Sequence, residues 1–152
     1  MILSSVVWHA LLVSLAPAPA FSAAGSEPVT LTGRAVELAA ALKPLGVAFD
    51  PEPVAKQVVV QGPDGAITPL ISDEASRALF LDERLRDRPL EIRGRRFPGI
   101  PYIQVTSIRV DEQGQLRTPE YSCEICAISV RYPQTCPCCQ GPMVLRMRPA
   151  ER

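Results

Sequence analysis

Leu90-Glu91-Ile92-Arg93-Gly94-Arg95-Arg96 alternates apolar and charged side chains. Leu90, Ile92 and Gly94 share one face, and Glu91, Arg93 and Arg95 the other. A period of two is the pattern of a strand with one buried and one wetted face. Pro98-Gly99 turns the chain, and Tyr102 to Val110 returns as a partner strand. Its inward set slips phase between Val105 and Ile108, which predicts a bulge near Thr106-Ser107. On the N-terminal side, Ser72 to Arg88 reads as one helix. Ser72 is its N-cap, and Asp73 and Glu74 sit at the positive dipole end. Ala75, Ala78, Leu79 and Leu85 form the apolar stripe, with Asp73–Arg77 and Asp82–Arg86 as i,i+4 pairs. Pro89 stops the helix.

Further out, Gln57 to Val60 and Ala66 to Ile71 read as two strands around the turn Gly62-Pro63-Asp64-Gly65. Pro69 shortens the second or places it at an edge. Lys43 to Lys56 contains Pro44, Pro51 and Pro53 and reads as a loop, with Glu37 to Leu42 a short helical turn before it. Val29 to Val36 alternates as the opening strand, and Gly33 inside it predicts a bulge or sharp bend. The order is three strands, a helix, then two strands, as in an OB-fold barrel. The glycine-bent opening strand and the Leu90 to Arg95 strand resemble those of small bacterial OB-fold proteins, over roughly Val29 to Val110. The resemblance implies a mainly β fold: a small five-stranded barrel with one helix, spanning 27–112. An unrelated α+β fold is the structural alternative. Asp111 to Thr118 is polar and reads as a linker.

All five cysteines lie between Cys123 and Cys139. Cys123-Glu124-Ile125-Cys126 is one C-x-x-C, and Cys136-Pro137-Cys138-Cys139 is a second with an extra thiol inside it. Two such turns can set four thiolates around one ion, with backbone N–H groups sharing the charge. Cys136-Pro137 and Gly141 resemble the knuckle of zinc-ribbon and rubredoxin-like modules. That resemblance implies a zinc-ribbon-like β-hairpin module over 119–148, with Cys123, Cys126, Cys136 and Cys139 as ligands of one zinc. Cys138 departs from the pattern, as an alternative ligand or a free thiol. Ala127 to Tyr132 and Met143 to Met147 are the expected hairpin strands. Iron, copper(I) aided by Met143 and Met147, and disulfide or redox use stay open beside zinc.

Residues 1–24 contain no Lys, Arg, Asp or Glu, and Val6 to Ala16 is a mostly apolar run broken by Pro17 and Pro19. Small residues follow at spacings a signal peptidase accepts, so this stretch reads as a signal peptide or N-terminal apolar leader. The run is short for a membrane helix, which leaves no stable membrane span in the mature chain. Export to the periplasm or outside the cell is the expectation, and a cytoplasmic location the alternative, because the leader lacks an initial Lys or Arg. Cleavage would remove His9, the single histidine, and with it every imidazole-based mechanism. No catalytic constellation is visible elsewhere, so the expectation is not an enzyme.

Formal charge is zero, but up to Glu83 four Lys/Arg stand against nine Asp/Glu, and from Arg84 twelve Arg stand against seven acids. The best basic-aromatic cluster for single-stranded nucleic acid is Arg93, Arg95, Arg96, Phe97 and Tyr102. Aromatics are only 5% of the chain, so an unidentified protein partner is favoured over nucleic acid. Three functions are weighed: a secreted binding or scaffold module with structural zinc, a single-strand-binding OB-fold protein, and a thiol redox or metal-handling protein. Leader, OB-like barrel and cysteine knuckle together resemble uncharacterised exported bacterial proteins of planctomycete-like genomes.

Overall fold

The first-quoted stretch forms β4, Pro89–Arg96, with Leu90, Ile92 and Gly94 buried. It lies between β1, Glu27–Glu37, and β5, Ile103–Glu112, and pairs antiparallel with both. A computed structural model describes residues 25–149 of the chain. The leader expected at 1–24 lies outside the described residues. Among them the fold is mainly β, with eight strands in one sheet and three short α-helices.

From one edge the sheet runs β3 (Ile67–Pro69), β2 (Val58–Gln61), β1, β4, β5, β6 (Gln115–Ser122) and β7 (Ser129–Val130), with β8 (Val144–Pro149) also paired to β6. Every ladder is antiparallel. The expected five strands appear in the expected order, with α3 (Arg77–Leu81) between β3 and β4. The sheet is not closed into a barrel. A single parallel bridge, Leu70 to Ile103, brings the β3 side beside the start of β5, where the Ile71 N–H donates to the Ile103 carbonyl at 2.9 Å.

The bulge foreseen in β5 is present. Arg93 faces Ser107 and Gly94 faces Val105, so Thr106 is the extra residue. Its hydroxyl donates to the Arg93 carbonyl at 3.0 Å. The added residue lets both Val105 and Ile108 point into the core. Gly33 marks a close approach rather than a bulge. The β1–β4 register stays regular through it, and a Cβ there would sit 2.2 Å from the Gln61 carbonyl oxygen. At this point β1 passes from pairing with β4 to pairing with β2, and only a hydrogen side chain leaves room.

The core is built from Val60, Leu79, Leu85, Ile92, Ile103, Val110 and Tyr121, all essentially sealed from solvent. Each such aliphatic side chain contributes about 1.5–3 kcal/mol relative to exposure. A smaller cluster, Val36, Ala41 and Val59, lies under α1, Leu38–Leu42. The 43–56 stretch expected as loop also carries a 3-10 turn at Lys43–Leu45 and α2, Pro51–Val54, capped by Asp50.

Three expectations are corrected. The single helix over Ser72 to Arg88 is instead α3 followed by a 3-10 turn, Glu83–Leu85. The N-cap of α3 is Ser76, not Ser72, and it makes no side-chain cap bond; Asp73 instead closes the turn before the helix, accepting the Ala75 and Ser76 N–H groups, while the Ser76 hydroxyl oxygen accepts the Asp73 N–H. Asp82 leaves helical geometry because the Tyr121 hydroxyl and the Arg84 guanidinium both hold its carboxylate. Neither foreseen ion pair forms: Arg86 pairs with Glu37, and Arg77 lies over the Tyr132 ring. The Asp111 to Thr118 linker is a tight hairpin. Glu112 pairs with Gln115 across Gln113 and Gly114, both at positive φ, the geometry of a type I′ turn. Last, β7 and β8 do not pair with each other. Tyr121 of β6 pairs with Val130 on β7 and with Leu145 on β8, so β6 supplies the edges that an independent hairpin would have had to make. The cysteine segment therefore continues the same sheet.

Candidate metal centre

The end of β6 runs directly into the first cysteine turn. The Cys123 N–H donates to the Ile128 carbonyl at 2.9 Å, and the Ala127 N–H donates to the Cys123 carbonyl at 3.0 Å. The second turn repeats these bonds. The Cys136 N–H donates to the Gly141 carbonyl at 2.9 Å, and the Gln140 N–H to the Cys136 carbonyl at 2.9 Å. The equivalent residues Ala127 and Gln140 both take left-handed φ, 54° and 58°. Two C-x-x-C stretches distant in sequence thus adopt one knuckle geometry, and each turns its paired sulfurs inward.

The sulfurs of Cys123, Cys126, Cys136 and Cys139 all lie within 4.8 Å of one another. Cys123 Sγ and Cys139 Sγ are 3.6 Å apart, and all five thiols are unlinked. A tetrahedral ion with metal–sulfur bonds of about 2.3 Å sets its ligands about 3.8 Å apart. The donor set therefore fits one metal ion at its centre, and the cluster can hold one. Cys123 and Cys136 are buried, whereas Cys139 is exposed, so the site opens on one side. Cys138 is exposed and stands outside the four-sulfur set.

The knuckle backbone also tunes the sulfurs. The Cys139 and Cys138 N–H groups bond to the Cys136 sulfur and hold its thiol down at about 7. The Cys126 N–H donates to Cys123 Sγ at 3.4 Å. Cys126 is pushed up by hydrogen bonding with the Cys138 and Cys139 thiols. The Gly141 N–H favours a Cys139 thiolate, but the neighbouring Cys123 thiol pushes it up on balance. Without a cation, Cys126 and Cys139 are biased toward the protonated thiol; a bound metal requires thiolates and releases those protons.

Met143 and Met147 are not part of the cluster. Both pack against the main apolar core, beside Val130, Tyr132 and Leu145. The candidate nucleic-acid residues lie elsewhere, on and around the β4–β5 hairpin. Arg93 pairs with Glu91 at 3.2 Å, Arg95 and Arg96 are exposed, Phe97 is half-buried, and Tyr102 is 45% exposed. These side chains do not meet the sulfur site.

One buried contact next to the cluster was invisible to pattern reading. Tyr121, two residues before Cys123, is fully buried, and its hydroxyl donates to Asp82 Oδ2 at 2.6 Å. Arg84 makes a fork on the same carboxylate, at 2.9 and 2.7 Å. This buried pair ties β6, which runs into Cys123, to the end of α3. Its two members are 39 residues apart, a separation that no local spacing rule reads.

Comparison with protein-family models, with curated proteins and with solved structures finds no match to this chain. Among the described residues, no helix is long and apolar enough to cross a membrane.

Proposed function

We propose that the chain is an exported, non-catalytic binding or scaffold module whose C-terminal segment is locked by one structural zinc ion. The convergence of four sulfurs from two equivalent knuckles carries this reading. Zinc suits a closed set of four thiolates and needs no redox partner. Bound there, it would supply a cross-link, joining the end of β6 to the knuckle that precedes β8. Cys123 and Cys126 would hold it from the first knuckle, and Cys136 and Cys139 from the second.

Such a clamp has a clear use in this segment. β7 and β8 expose much of their surface and contain no buried residue, and beyond β6 the buried side chains among the described residues are Cys123 and Cys136. A segment with so little apolar burial gains order from a metal instead. The leader supports export, and the absence of histidine from the described residues supports a role without imidazole chemistry.

Elemental analysis of protein purified from its own compartment, with the mature N-terminus determined on the same sample, tests the proposal. One zinc per chain and a start near residue 25 are expected. Metal-free protein with oxidised cysteines would replace the scaffold reading with a redox or covalent-staple role. The exposed Cys138 beside the cluster favours metal handling as the second reading. Thiol labelling of metal-loaded protein separates the two: an inert Cys138 supports a scaffold, and a rapidly labelled one supports metal handling.

A further inference from the structure

The sheet face opposite the core carries a cleft of about 330 Å³ whose chemistry the metal site leaves unexplained. Arg93, Arg109, Arg131 and Arg148 line it, with Glu120, Ser107 and Thr118 between them. They come from four different segments. β4 supplies Arg93, β5 supplies Arg109, β8 supplies Arg148, and Arg131 follows β7 directly. Sheet pairing, not sequence proximity, assembles the set. Arg93 faces Ser107, Glu91 faces Arg109, and Thr118 faces Arg148.

The charges do not balance. Glu91 accepts from both Arg93 and Arg109, and Glu120 accepts from Arg148 at 2.7 Å. The cleft wall itself carries four guanidiniums and one carboxylate, that of Glu120. Among the described residues, Arg131 makes no ion pair or side-chain hydrogen bond, and it is exposed. Arg93 contacts Glu91 through Nε alone, and among the described residues its terminal nitrogens make no hydrogen bond. Every basic residue from Arg84 onward is arginine, whose planar fork matches tetrahedral oxyanions by paired hydrogen bonds. No aromatic residue lines the cleft, so it offers no platform for stacking a base.

We infer that this cleft binds a small ligand bearing a phosphate or sulfate dianion, held between Arg131 and Arg93 with Arg109 and Arg148 as flanking charges. The inference goes beyond the zinc-scaffold reading and does not depend on it. The two sites use different residues, and Cys123, Cys126, Cys136 and Cys139 are absent from the cleft wall.

Calorimetric titration of the full metal-loaded chain with pyrophosphate, inorganic phosphate and sulfate, at low and at physiological salt, tests it. Binding that weakens as salt rises is expected. Arg131→Ala and Arg93→Ala should each weaken it about tenfold, the usual scale for one charge-assisted contact. Lys56→Ala, exposed and outside the cleft wall, should leave it unchanged. Competition by sulfate assigns recognition to the tetrahedral dianion, whereas pyrophosphate-only binding assigns it to phosphate; either supports the site. Absence of binding at millimolar pyrophosphate overturns the inference. So does affinity that survives both substitutions in folded protein, or binding of a thymidylate oligonucleotide with none of pyrophosphate.

Discussion

The β4–β5 hairpin and the cysteine segment belong to one sheet but are held by different physics. In the hairpin, Ile92, Ile103 and Val110 are fully buried, and apolar burial suffices to order the strands. In the cysteine segment, β7 is two residues long and β8 has no fully buried residue. Its order rests on two knuckles, on pairing to β6 and on the sulfur cluster. The contrast shows how a short segment can join a sheet without a core of its own; a metal held by the four sulfurs, as proposed above, would supply the cross-link that replaces the missing area.

Removing the cross-link should have the largest effect and should separate the two regions. Chelation, or Cys136→Ser, is expected to give fast amide exchange across 123–149 while β4 and β5 keep their protection. Structural sites of this class link about 10 kcal/mol or more to folding. Equal loss across all eight strands would break the comparison, because the sheet would then be one cooperative unit. The converse substitution, Ile92→Ala, should lower stability by about 2–5 kcal/mol in denaturant titration. Metal stoichiometry of the folded fraction should stay unchanged; loss of the metal with it would again merge the regions.

Tyr121→Phe tests the joint between them. It leaves Asp82 with Arg84 but without the phenol, and a loss of about 1–3 kcal/mol is expected. Burial pushes the Asp82 carboxyl up, but the Arg84 and Tyr121 hydrogen bonds outweigh it and hold it below its ordinary 3.8. A carboxylate depressed in the folded state stabilises above the unfolded value and loses that contribution as pH falls through the lower folded one. The stability gap between wild type and Tyr121→Phe should therefore be constant near neutrality and shrink below pH 3.8. A gap independent of acid would mean that the hydroxyl acts by packing alone. The smallest change concerns the knuckles themselves. Ala127 holds a left-handed φ of 54°, so Ala127→Gly should stabilise by up to about 1 kcal/mol in thermal unfolding, with metal content unchanged.

Much of this was legible in local patterns. Alternation located β1, β4 and β5, and the phase slip at Val105–Ile108 located the bulge, because side-chain period and burial are coupled within a strand. The two C-x-x-C turns pointed to a sulfur cluster for a similar reason, since each turn is local, while the choice of Cys139 over Cys138 came from the resemblance to zinc-ribbon knuckles. The Gln113-Gly114 hairpin was readable too, as a glycine between two alternating runs, but polar composition masked it. The helix boundary failed for a different reason. Asp82 breaks helical geometry to meet a tyrosine far along the chain, and local propensity yields to a buried hydrogen bond.

From the residue order alone came the strand periodicities and the two C-x-x-C turns, because these depend on groups within a few residues of one another. Only tertiary structure decided that β6 serves both β7 and β8, that the sheet stays open, and that arginines from four segments share one cleft. Those outcomes depend on which distant edges and charges meet, and pairing across a sheet is set by the packing of the whole core rather than by any single stretch.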